Sequence, residues 1–310
     1  MSTSMVTPEI GVGDRERPSE LHIWLAALRP KTLAAGAAPV IVGVSIAAAH
    51  GPVSPSLCAL CLLGALSLQL VSNLANDLFD HLNGADTEER LGPDRATAQG
   101  WVSVRKMAWA TAAMGAISIT IGALLIAQAG WPIAVIGVAS LVSAIAYTAG
   151  PWPLGYLGLG DLMVFVFFGP VAVGGTVFVL QGDVGLDTWL AAIPMGLLAS
   201  AILVVNNLRD RDEDARTGKR TLAVRLGPGG ARLEYLALIA SSYALIAFGV
   251  LRGSPLVGLG WLLPMVTLPF ALGRVRAVQR KSGAELNAEL GATAGLLAAF
   301  ALCLATGVHL

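Results

Sequence analysis

Apolar positions run along the chain in long unbroken blocks rather than in the spaced stripes of a soluble helix. The blocks cover about 33–50, 56–72, 107–129, 131–149, 162–180, 189–205, 233–251, 256–273 and 290–308. Each approaches the roughly 20 residues that an α-helix needs to cross a bilayer, where backbone polar groups must be paired within the element. Runs so poor in polar residues predict an all-α, polytopic membrane bundle of nine transmembrane helices, not the buried helices of a soluble core. Residues 1–20 are polar, contain no apolar stretch of the signal-peptide kind, and predict a disordered cytoplasmic tail. Residues 21–310 then form one membrane domain.

Of 310 residues, 55% are hydrophobic and 13% charged, about half the charged share of an average soluble protein. The placement of charge is therefore informative. If the N-terminus is cytoplasmic and all nine runs cross, every Lys and Arg except Arg252 falls on the cytoplasmic side. Such a lopsided division is what positive-inside topology requires. The net charge is zero, which gives no long-range attraction to nucleic acid. Three cysteines build no disulfide framework, and Cys58 and Cys61 read as small packing residues inside an apolar run.

Acidic residues collect in two places. One group follows the second run: Asp77, Asp80, Asp86, Glu88, Glu89 and Asp94. The other follows the sixth: Asp210, Asp212, Glu213 and Asp214. On a helix, Asn73, Asn76, Asp77 and Asp80 fall at spacings of 0, 3, 4 and 7 and share one face, as do Asn206, Asp210 and Asp214. Two ionised carboxylates ~4 Å apart repel by roughly 4 kcal/mol at an effective dielectric of ~20, so such a face calls for a cation or for protons. Every candidate donor is an oxygen, which favours Mg²⁺, Ca²⁺ or Mn²⁺ over zinc. The segments "GADTEERLGPDR" and "ARTGKRTLAVRLG" add Arg90, Arg95, Arg216, Lys219 and Arg220 beside the two faces. Carboxylates mixed with guanidinium groups suit a metal-bridged phosphate or diphosphate. Glu88, Glu89, Asp212 and Glu213 read instead as ordinary loop charges.

The connection "SAIAYTAGPWPLGYLGLGDLMVFVFFGP" carries no Lys or Arg and is rich in Gly, Pro and aromatics. Irregular backbone at membrane depth is tolerated where it lines a cavity, so this segment is expected in the wall of the site. Tyr147, Trp152 and Tyr156 can face a cationic species through their rings, although Trp152 equally suits the interfacial aromatic belt. Asp161 reads either as a base or as a helix cap.

Taken together, these segments resemble the UbiA-type intramembrane prenyltransferases, and within them the 1,4-dihydroxy-2-naphthoate polyprenyltransferases of menaquinone synthesis. The resemblance rests on N-D-x-x-D (Asn76, Asp77, Asp80), D-x-x-x-D (Asp210, Asp214), and the stretches "RPKTLAAGAAPVIVG", "YTAGPWPLGYLGLGD" and "NNLRDRDEDARTGKRTLAVRLG". It implies transfer of a polyprenyl group from its diphosphate to the aromatic acceptor, with loss of pyrophosphate and carbon dioxide. It also implies two Mg²⁺ ions, a lipid bilayer setting and an active site facing the cytoplasm from the plasma membrane. On that reading Asn73, Asn76, Asp77 and Asp80 serve one metal centre, and Asn206, Asp210 and Asp214 the other. Arg90, Arg95, Lys219 and Arg220 hold diphosphate, Tyr147 shields the cation, and Asp161 is the candidate base in place of an expected Glu. Arg29 and Lys31 are candidates for the acceptor's carboxylate. Sister enzymes acting on hydroxybenzoate, chlorophyllide, haem or a sugar phosphate share the same chemistry. A cation-coupled transporter is the rival from another class, but it would place its acids near the bilayer midplane.

Overall fold

A computed structural model describes residues 17–85, 91–253 and 257–310. All its regular elements are helical, and eight helices among the described residues are long and apolar enough to span a bilayer. The predicted run at 131–149 forms a shorter apolar helix, α5 (Trp131–Ala146), between α4 (Val104–Ala129) and the glycine-rich connection.

One element was not visible as an apolar run. Helix α1 (Glu20–Leu28) precedes the first span and is capped by the Ser19 hydroxyl, which accepts from the His22 N–H. Ile23 and Ala27 are buried, in a cluster with Leu74, Leu78 and Met107. Arg29 then takes a left-handed conformation (φ 50°) and Pro30 opens α2 (Pro30–His50), so the chain turns sharply from the surface into the membrane.

Helices α3 (Pro55–Leu82) and α8 (Leu186–Arg216) run beyond their apolar stretches. At 1.5 Å per residue they are ~42 and ~46 Å long, well over the ~30 Å hydrocarbon thickness. Their last turns therefore emerge with the acidic residues still in helical register. Helix α8 lies at the centre of the bundle, packed on α9 (Leu222–Leu251) and α11 (Leu286–Gly307). Its Met195, Leu198 and Val205 join Ile46, Tyr235 and Phe300 in the main core.

The fifth span is composite. It starts as α6 (Gly160–Val166), passes through a π-helical stretch at Phe167–Gly174 and ends as α7 (Gly175–Gln181). Pro170 lies in the π stretch and lacks a backbone donor, which shifts the hydrogen-bond register. The widened turn presses against α8 backbone to backbone. A Cβ on Gly169 would sit 2.6 Å from the Ala192 carbonyl oxygen, and one on Gly196 would sit 2.5 Å from that of Phe165. A 3₁₀ segment (Leu259–Thr267) leads likewise into α10 (Leu268–Arg280), and another (Gly283–Glu285) into α11. Trp109, Ile119, Val138 and Trp131 are exposed on α4 and α5, as lipid-facing surface requires.

Candidate active site

The ends of α3 and α8 and the connection after α5 form the polar head of one cavity of about 530 Å³. From there the cavity continues as an apolar hollow between α3, α4 and α5, down to Cys61, Leu125 and Ile133. The separation from Asp80 to Cys61 along α3 is ~28 Å at helical rise.

Asp80 is 2% exposed and carries the densest contacts. Its carboxylate meets Arg95 at 2.5 Å and Lys219 at 3.3 Å, and accepts from the Tyr156 hydroxyl at 2.6 Å. Lys219 lies over the Tyr156 ring, 4.7 Å from its centre. Arg95 also donates to the Asn76 carbonyl oxygen. The Asn76 side chain accepts from the Thr148 hydroxyl at 3.0 Å. Thr148 in turn anchors Asn83 through its carbonyl, which fixes the middle connection to α3.

On α8, Asn206, Asp210 and Asp214 line the same cavity. Arg209 is buried and forks both oxygens of Asp210 at 2.7 and 2.6 Å. It also donates to the side-chain oxygens of Asn206 and Asn287, each at 2.9 Å. Asn287, at the start of α11, donates to the Leu91 carbonyl at 2.9 Å. One guanidinium thus ties the second acidic end, through α11, to the loop that follows the first.

Tyr147 caps α5 and enters the cavity beside the acids. Two glycines let it approach: a Cβ on Gly155 would lie 2.9 Å from its ring, and one on Gly160 would lie 2.8 Å from its hydroxyl oxygen. Burial, followed by the charges of Asp161, Asp80 and Asp214, pushes its phenol well above the usual range. Burial and the Asp80 carboxylate do the same to Tyr156.

The other candidate residues meet different surroundings. Asp77 is buried, but its oxygens accept from the backbone N–H groups of Ala96 and Thr97 at 3.1 and 2.9 Å, and it does not line the cavity. At 100° per residue it sits ~60° round the helix from Asp80, far enough to face the returning loop. Asn73 lines the cavity, yet it braces the α1–α2 corner by donating to the Leu28 carbonyl and the Thr32 hydroxyl and accepting from Gln69. Arg220 is exposed, and among the described residues it meets the site through its backbone N–H on the Tyr156 carbonyl. Asp161 is buried behind the wall, outside the cavity lining. No side-chain donor among the described residues meets its carboxyl oxygens. Trp152 is 75% exposed, as the belt reading expects. Arg29 lines the polar head. Arg90 and the Lys31 side chain lie outside the described residues.

Two residues were missed. Arg209 was counted as a topology charge, although it lies three positions after Asn206. Glu213 was placed off the face, but it is seven positions after Asn206, is buried, and lines the cavity.

Comparisons with known proteins point one way. The model of the UbiA prenyltransferase family matches residues 37–300. The chain is 40% identical over 240 residues to the 1,4-dihydroxy-2-naphthoate octaprenyltransferase of Haemophilus influenzae, covering 74% of this chain and 78% of that protein. It is 36% identical over 286 residues to the Mycobacterium tuberculosis protein of the same name, covering 91% and 95%. The solved structure of a UbiA homologue from Archaeoglobus fulgidus bound to DMAPP and Mg²⁺ aligns with a TM-score of 0.65 at 17% identity, covering 91% of this chain and 98% of that one. At that identity the likeness is one of fold.

Proposed function

The chain belongs to the UbiA prenyltransferase family, and from that premise we propose that it transfers a polyprenyl group from its diphosphate to 1,4-dihydroxy-2-naphthoate, giving demethylmenaquinol, the reduced form of demethylmenaquinone. The observation that carries this reading is the shared cavity: two acidic helix ends and three cations, Arg29, Arg95 and Lys219, at its head, and an apolar hollow behind them. The head suits a diphosphate and the hollow suits its hydrocarbon tail.

The donor set fits Mg²⁺. Among the described residues no three carboxylate, His or Cys side chains converge on one point, so the protein alone forms no closed cage. Mg²⁺ is often held by one or two carboxylates with substrate phosphates completing its shell. Asp80 with Asn76 would hold one ion, and Asp210 and Asp214 with Asn206 the other. When bound, Mg²⁺ stabilises the charge developing on the departing diphosphate.

Arg95 and Lys219, paired with Asp80 in the free protein, bind the remaining phosphate oxygens. The allylic C–O bond breaks with its electron pair leaving on the diphosphate. Tyr147 and Tyr156 present their ring faces to the resulting allylic cation, and their raised phenols stay protonated. The apolar walls exclude water, which would otherwise capture the cation. The acceptor's carboxyl-bearing ring carbon forms the new C–C bond, and the carboxylate departs as carbon dioxide, returning its electron pair to the ring. Arg29, which lines the head of the cavity, would meet that carboxylate. Asp161, buried behind the wall, adds its negative charge to the field around Tyr147. We place the N-terminus and the cavity head on the cytoplasmic side, on the distribution of Lys and Arg.

The test is product analysis by mass spectrometry. The purified chain is offered octaprenyl diphosphate, Mg²⁺ and a panel of aromatic acids. The expected product is the prenylated naphthoquinol lacking the carboxyl carbon. Turnover of 4-hydroxybenzoate alone would transfer the reading to a sister enzyme, and proteoliposome uptake without transfer would end it.

A further inference from the structure

A second hollow of about 350 Å³ opens on the same end of the bundle, behind the second acidic helix end. Four arginines line it, Arg209, Arg211, Arg216 and Arg232, against the two carboxylates of Asp212 and Glu213. Arg209 is the floor, and its charge is spent on Asp210. Arg232 is different. Its Nε and Nη2 donate to the carbonyls of Val278 and Lys281, and Nη1 has no partner among the described residues. Arg211 pairs with Asp212, whose side chain is 82% exposed, so that pair is screened and easily exchanged. Ser282 lines the opposite wall, and its hydroxyl makes no hydrogen bond among the described residues. The hollow therefore presents the Arg232 guanidinium edge and the Ser282 hydroxyl without a hydrogen-bonded anion among the described residues.

The level of the hollow is also marked. On α9, Leu233 follows Arg232 directly and is 65% exposed, and Leu226 is 50% exposed. Leu233 opens the apolar run at 233–251 inside a candidate span, which puts Arg232 at the level where hydrocarbon gives way to headgroups. Basic pockets at that depth hold the phosphates of anionic lipids.

We propose that this hollow is a non-catalytic anion site that takes a phosphate group, supplied in the membrane by the headgroup of an anionic phospholipid. Arg232 and Arg211 bind the phosphate oxygens and Ser282 donates a third hydrogen bond. The hollow adjoins the reaction cavity, sharing Glu213 with its lining and Arg209 with Asp210, and the proposal does not depend on the acceptor's identity.

The test is native mass spectrometry of the full chain released from phosphatidylcholine vesicles containing phosphatidylglycerol. The wild-type chain is expected to keep about one phosphatidylglycerol. Arg211→Gln and Arg232→Gln should each lower that occupancy by about fivefold, while Arg105→Gln, on α4, leaves it unchanged. Arg232→Gln removes bonds to two carbonyls at the C-terminal end of α10 and carries a folding risk. Arg211→Gln carries little, because its partner is exposed. A parallel arm offers inorganic phosphate instead. Displacement of the lipid by millimolar phosphate supports the same site with a soluble source. Equal retention in wild type and both variants, or no preference for phosphatidylglycerol or phosphate over phosphatidylcholine, overturns the proposal.

Discussion

Asp77→Asn and Asp80→Asn test whether two acids three residues apart divide the work, one proposed as a brace and the other as a metal ligand. Asp77 spends its oxygens on two backbone N–H groups. An asparagine keeps one acceptor and turns its NH₂ group toward the other donor. A hydrogen bond to a charged group contributes ~1.5–3 kcal/mol and an unmet buried donor costs ~1–3 more, so Asp77→Asn is expected to cost about 3–5 kcal/mol of stability. Asp80 faces cations instead. At an effective dielectric of ~20, charges 2.5 and 3.3 Å apart attract by roughly 5–7 kcal/mol each before desolvation is counted. Asp80→Asn removes that anchor from the groups expected to bind diphosphate, together with a candidate metal oxygen. Loss of one preorganised electrostatic partner at a reacting centre costs roughly 10²–10³ in turnover. Both variants would be purified in detergent, melted by size-exclusion chromatography after heating, and assayed for transfer across a Mg²⁺ titration well below the melting point. Asp77→Asn should melt early while its folded fraction keeps the wild-type rate and Mg²⁺ midpoint. Asp80→Asn should lose turnover at every Mg²⁺ concentration. A variant at Asp77 that melts like the wild type yet loses a hundredfold in rate would refute the assignment of Asp77 as a brace.

Gly160→Ala places a methyl group 2.8 Å from the Tyr147 hydroxyl oxygen; displacing that ring should lower turnover by roughly ten- to a hundredfold with little change in melting temperature. Gly196→Ala meets the Phe165 carbonyl at 2.5 Å, a backbone atom that cannot swing aside, and should destabilise by about 1–3 kcal/mol, read as a lower melting temperature. EDTA should abolish transfer and Mg²⁺ restore it, whereas chelator-insensitive turnover would remove the metal from the scheme. The Tyr147 and Tyr156 phenols are raised on folding, so their contribution to stability is complete below the free phenol value of ~10 and declines as pH rises past it. Tyr156→Phe should flatten part of that alkaline loss in a melting series.

The membrane bundle was legible because lipid leaves so little choice. A block of apolar residues long enough to cross must be helical, and the nine blocks reappear as eight long helices and the shorter α5. Helix α1 escaped because it is too short to cross and is held by a local cap and by side chains from α3 and α4. The site was legible one step less far. Spacing along α3 and α8 brought Asn76, Asp80, Asn206, Asp210 and Asp214 to one cavity, since a helical face is fixed by 3.6 residues per turn. Spacing is silent on what a distant part of the chain lays against that face. Asp77 and Asp80 are both acids on the same end of α3, yet the loop at 96–97 returns to claim one while Arg95, from the same loop, pairs with the other. Arg209 shows the converse. Next to an aspartate in sequence it looks like any charge at a membrane boundary, and its value arises from Asn287, 78 residues on. A buried carboxylate therefore becomes a ligand or a brace according to which donors the tertiary fold delivers to it. Those donors lie on segments whose approach no local periodicity encodes.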